Sequence, residues 1–108
     1  MEYEIETAHG RLFCRREGSG PILLLIHGVA CDSEFFRETS KLLAETFTVI
    51  SYDRRGYSRS IAAKGENDFS VWAHAEDAAE IIRTELEREM AEKQSEILSE
   101  KVEEGTEN

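Results

Sequence analysis

The sequence predicts an α/β fold built on a parallel strand–helix–strand unit, and three observations predict it. Residues 22–27 form an apolar run, Leu23-Leu24-Leu25-Ile26, that ends abruptly in His27-Gly28. Such a run reads as a strand buried on both faces. Residues 47–52 form a second apolar run, rich in β-branched residues and closed by Asp53. Residues 33–46 lie between them with a helical pattern. A strand, a helix and a strand in that order imply parallel pairing with a right-handed crossover.

The elements follow in chain order. Residues 2–7 alternate polar and apolar, and Leu12-Phe13-Cys14 follows a turn near His9-Gly10. This predicts a β-hairpin. Gly18-Ser19-Gly20-Pro21 is a breaker that holds the only proline. Asp32 or Ser33 can cap the helix over 33–46, with Phe36, Leu42 and Leu43 as its apolar positions. Residues 54–68 read as polar loop. A second helix starts near Ser70, and Ala78, Ala79, Ile82 and Leu86 are its expected core positions. Beyond Leu86 the apolar pattern thins among Glu and Lys, with no Gly or Pro before Gly105. The expected organisation is a partial domain over 1–86 and an acidic tail over 87–108, either a projecting helix, a partner-binding helix or frayed.

The formal net charge is −10, and residues 85–108 hold nine acids against three bases, so −6 of it. That balance argues against nucleic acid and against an anionic membrane surface as partners. No apolar run reaches the roughly 18 residues of a membrane span, and the N-terminus lacks a signal-peptide core. Two cysteines, Cys14 and Cys31, make no disulfide framework. The expectation is a soluble, cytoplasmic protein with reduced thiols. Neither a C-x-x-C nor an H-x-x-x-H pair occurs, nor a phosphate-cradling glycine loop, so no metal or cofactor is expected.

Two motifs close the two parallel strands: His27-Gly28-Val29 and Asp53-Arg54-Arg55-Gly56-Tyr57-Ser58-Arg59-Ser60. With them the chain resembles the α/β-hydrolase family, in its esterase-like branch. There a His-Gly turn follows the third strand and an Asp-x-Arg-Gly-x-x-x-Ser loop follows the fourth. The resemblance covers about residues 3–86. It implies that the Val29 backbone N–H serves the oxyanion of an ester-type reaction. It also implies that His27 and Gly28 shape that turn, and that Asp53, Arg54 and Gly56 hold the second loop.

The family's nucleophile, in a Gly-x-Ser-x-Gly elbow after the next strand, has no counterpart in these 108 residues. The nearest approach, Gly56-Tyr57-Ser58-Arg59-Ser60, lacks the final glycine, and Ser19 precedes a strand instead of following one. His9 falls in a turn. His74 falls at a helix start, where Asp77 is its only intrahelical partner. Cys31 has no base nearby in sequence. The chain is therefore expected to be the N-terminal portion of the family's fold, inactive alone. In the family's strand order the strand at 22–26 then becomes an open edge. Either a second copy or another chain completing the sheet would pair there, and a small ester would be a substrate only once the sheet is complete. The other functional class left open is a non-catalytic interaction module working through that edge and the acidic helix.

Overall fold

A computed structural model describes residues 1–106. Alternation in the first segment produces the hairpin, with β1 (Glu2–Thr7) and β2 (Gly10–Glu17) antiparallel and Ile5 opposite Leu12. The Thr7 hydroxyl stitches its turn, accepting from the His9 N–H and donating to the Gly10 carbonyl. Gly10 has φ +133°, and a Cβ there would lie 2.1 Å from the Ile61 carbonyl oxygen, so the position requires glycine.

β3 (Ile22–Ile26) and β4 (Thr48–Tyr52) pair in parallel, with Leu24 beside Ile50. β4 pairs antiparallel with β2, and the sheet order is β1-β2-β4-β3. The α/β expectation and the parallel unit therefore stand as predicted. One strand was not anticipated. Ile61–Ala62 within the polar loop forms β5, which pairs with the start of β2.

The helix expected over 33–46 is shorter and divided. Asp32 caps it by accepting from the Glu34 N–H at 2.9 Å. A 3-10 turn (Ser33–Phe36) then leads into α1 (Arg37–Leu43). Residues 44–47 form the return turn instead of a last helical turn, because the chain must pass Gly18. A Cβ at Gly18 would lie 2.4 Å from the carbonyl oxygens of both Ala44 and Phe47. Leu42, expected in the core, is exposed, and Ser40 is buried in its place.

α2 (Val71–Thr106) is one continuous helix. It carries the expected tail through to Thr106; the last two residues of that tail lie outside the described residues. Ser70 caps it, its hydroxyl accepting from the Ala73 N–H. Its packed face differs from the expected one. Ala73, His74, Asp77, Ile81 and Glu85 are buried, whereas Ile82 and Leu86 are 39% and 47% exposed. Ile81 completes the core with Ile5, Leu12, Cys14, Ile50 and Tyr52. The fully buried Glu85 faces the hairpin, beside Arg16 (3.2 Å), Arg88 (3.4 Å) and the Tyr3 hydroxyl, which donates to it. Among the described residues no helix is long and apolar enough to cross a membrane.

Candidate functional site

Parallel pairing brings the C-terminal ends of β3 and β4 side by side, where open α/β sheets place their ligands. His27 is the link between the two ends. It is 3% exposed, and its Nε2 accepts from the Arg54 backbone N–H at 2.9 Å. A nitrogen that accepts carries no proton, so in the neutral ring the proton sits on Nδ1. Nδ1 lies 2.8 Å from the Gly28 carbonyl oxygen and donates to it. Both ring nitrogens are thus committed to holding backbone.

The Gly28 carbonyl is held a second time, by the Cys31 thiol at 3.1 Å. This fixes the plane of the Gly28–Val29 peptide. The peptide is trans, so the Val29 N–H points opposite to the carbonyl. That N–H makes no hydrogen bond among the described residues, and the Val29 side chain is 81% exposed. Two further features shape the turn. Ala30 has φ +62° and carries its left-handed step. A Cβ at Gly28 would meet nothing within 4 Å. The space above Gly28 is open to a ligand.

The second loop is built on Asp53, which is fully buried. One carboxylate oxygen accepts from the Ser33 N–H (2.9 Å) and hydroxyl (2.6 Å). The other accepts from the Arg59 N–H (3.0 Å) and Nε (3.2 Å). Burial opposes ionisation, but the Ser33 and Arg59 hydrogen bonds and the Arg59 charge outweigh it and lower the carboxyl below its ordinary pKa. Ser60 continues the scaffold, its hydroxyl accepting from the Phe13 N–H and donating to the Asp53 carbonyl.

The arginine whose side chain anchors this loop is Arg55, not Arg54 as expected. Arg55 is 2% exposed and grips Asp77 with two 2.9 Å hydrogen bonds. It also binds Glu66 and the Asp68 carbonyl, each at 3.0 Å. Arg54 contributes its backbone N–H to His27, and its guanidinium lies over the Tyr57 ring. Gly56 has φ +77°, and a Cβ there would lie 2.7 Å from the Phe69 ring. The sequence expectation fell on Arg54 although the Asp-x-Arg-Gly spacing itself puts the motif's arginine at 55. The deciding partner, Asp77, lies 22 residues away on α2.

No nucleophile–base pair forms among the described residues. His9 Nδ1 pairs with Glu66 at 3.0 Å. His74 is buried with its Nδ1 unpartnered, and the Asp77 carboxylate is taken by Arg55. Burial, then the Arg54 charge, lowers the His74 pKa below 6.5. Cys31 Sγ lies 3.9 Å from His27 Nδ1, but that nitrogen carries the proton and cannot receive the thiol's. Ser58 and Ser19 make no hydrogen bond to an imidazole among the described residues. Cys14 is buried, which pushes its thiol up to about 12. Both cysteines are free.

This arrangement has known counterparts. The model of the alpha/beta hydrolase fold family matches residues 21–89. The uncharacterized hydrolase YraK of Bacillus subtilis is 43% identical over 65 residues, 60% of this chain and 24% of YraK. A fluoroacetate dehalogenase from a Burkholderia species is 38% identical over 74 residues, 66% of this chain and 24% of that protein. Among solved structures, E-2-(acetamidomethylene)succinate hydrolase superposes with a TM-score of 0.69 at 32% identity, covering 78% of this chain and 31% of that one. The chain thus spans about a quarter of the length of the curated relatives it matches. On the family match over both motif-bearing strands, and on the shared fold, the chain belongs to the α/β-hydrolase fold family.

Proposed function

We propose that these residues are the oxyanion-turn portion of an ester-type hydrolase, and that this chain alone does not hydrolyse its substrate. The observation that carries this reading is the double hold on the Gly28 carbonyl by His27 and Cys31. That hold fixes the peptide that carries the Val29 N–H, which has no partner among the described residues. A donor fixed before the reaction stabilises the developing oxyanion without reorganising, and one such donor is worth about 3–4 kcal/mol of barrier. The rest of the mechanism needs a nucleophile and a base. The sequence has no Gly-x-Ser-x-Gly, and each of its three histidines is committed elsewhere or lacks a nucleophile to activate. A small ester becomes a substrate only where residues beyond these 108, in this or another polypeptide, supply both groups beside Val29.

A kinetic assay with an activated nitrophenyl ester tests the reading. The expected record has no initial burst and a rate equal to that of the buffer plus a Val29→Pro control, which removes the N–H. A saturable rate well above that control would reject it.

A further inference from the structure

The loop between β4 and α2 is folded back on itself. Near its start lies Gly56, with the ring of Phe69, at its end, against it. Arg55 makes a second tie. Its Nη1 donates both to the Glu66 carboxylate and to the Asp68 carbonyl, while Nε and Nη2 bind Asp77 on α2. Glu66 is thus the loop's own side-chain hold on Arg55. The other Glu66 oxygen lies 3.0 Å from His9 Nδ1. A carboxylate only accepts, so Nδ1 carries the proton and donates. That hydrogen bond holds the Glu66 carboxyl below its ordinary pKa against the cost of burial, and it is ionised at neutral pH. His9 grips the loop a second time, because its carbonyl accepts from the Ala63 N–H at 2.9 Å. The clamp therefore runs from the hairpin turn through Glu66 and Arg55 to α2, and it uses no residue of β3.

The clamped residue is the immediate neighbour of the one that orients the oxyanion turn. Arg54 precedes Arg55, and its N–H donates to His27 Nε2 at 2.9 Å. Tyr57 adds a second contact between loop and turn. Its N–H donates to the Arg54 carbonyl at 2.8 Å, and its ring meets His27 edge-on with the centroids 5.1 Å apart. His27 Nδ1 in turn holds the Gly28 carbonyl, whose peptide carries the Val29 N–H. We propose that Glu66 is a positioning residue for the oxyanion turn: through Arg55 it fixes the Arg54 peptide against His27, and with it the Gly28–Val29 peptide. The bearing of this on catalysis rests on the proposed role of Val29; the coupling itself does not. Asp77 cannot be separated from the fold in the same way, because its loss leaves a buried guanidinium without its main partner. Glu66 stands at the margin of the clamp, its side chain 15% exposed. Removing it leaves Arg55 bound to Asp77 and Asp68 and cuts the tether between the loop and the hairpin turn. The Arg54 peptide is then held from fewer directions and opens more often.

Amide hydrogen exchange and nitrogen-15 NMR of the 108-residue chain test the proposal without any ester. In Glu66→Ala the Arg54 N–H is expected to exchange about tenfold faster, while the amides of the β2–β4 ladder keep their protection. The Val29 amide and His27 ring nitrogen signals shift in the same variant. His9→Ala cuts only the tether to the hairpin turn and leaves Glu66 on Arg55. It is expected to move the same signals in the same direction by less, and it reads the coupling where Glu66→Ala does not fold. Glu66→Gln keeps an acceptor for Arg55 and restores most of the Arg54 protection. Glu76→Ala, at an exposed carboxylate on α2 outside the clamp, changes none of these signals. Unaltered Arg54 exchange in the folded Glu66 and His9 variants would overturn the proposal. So would an acceleration shared equally by the β2–β4 amides, which marks a loss of global stability and no local link. Neither result depends on a nucleophile, so a failed coupling leaves the role of Val29 standing, and an ester-hydrolysing chain leaves the coupling standing.

Discussion

Both ring nitrogens of His27 are committed to backbone, leaving neither free to serve as acid or base. Its Nε2 accepts from Arg54 and its Nδ1 donates to Gly28. Nitrogen-15 NMR of the imidazole is expected to report the Nδ1–H tautomer at neutral pH; an Nε2–H tautomer would contradict the described link. His27→Ala leaves the half-buried Arg54 N–H without its partner and the Gly28 carbonyl with Cys31 alone, at about 1–3 kcal/mol, read as a lower denaturation midpoint. Arg55 sets a second test. Arg55→Ala strands the buried Asp77 carboxylate and costs about 3–5 kcal/mol. Arg55→Lys rescues little of it, because an ammonium cannot make the two parallel bonds to Asp77. At this scale the sequence was partly legible. It located both turns, since His-Gly and Asp-x-Arg-Gly sit where strands end. The Asp-x-Arg-Gly spacing itself names Arg55 as the inward arginine. It could not say that Asp77 would be the partner of Arg55, or that Cys31 would brace the Gly28 carbonyl. Those facts depend on contacts across the chain.

Among the elements, strands were easier to read than helices. Apolar runs bounded by glycine and by Asp53 located β3 and β4 nearly to the residue. β5 was missed because a two-residue bridge has no periodicity. α2 was read correctly as a helix with the wrong face inward. Its apolar stripe marks a surface the described residues leave uncovered, whereas its packed face relies on Glu85 and Asp77, whose charges are matched by arginines. Residues 91–103 are exposed throughout. Ending the chain after Met90 is therefore expected to change stability by less than about 1 kcal/mol, as measured by chemical denaturation. A larger loss would mean the tail packs on the domain.

Two buried groups tie the stability of the whole molecule to pH. His74 is disfavoured as a cation by burial and by Arg54, with Asp77 opposing. A histidine with a lowered pKa binds fewer protons folded than unfolded. Its contribution is complete above its ordinary 6.5 and is lost as pH falls from there to the lowered value. Asp53 is also lowered, so its contribution is complete above 3.8 and lost as pH falls through the folded value. The melting temperature is expected to fall in two steps on acidification. His74→Gln removes the upper step and Asp53→Asn shrinks the lower, to which the lowered Glu34, Glu66 and Asp68 also contribute; a profile unchanged by both would contradict the assignment. The central proposal is that residues 1–108 present an oxyanion turn and hold no nucleophile to go with it. Intact-mass analysis after incubation with a serine-reactive phosphonate tests that most directly. The account predicts an unchanged mass, whereas saturable addition of one probe per chain at a single residue would contradict it.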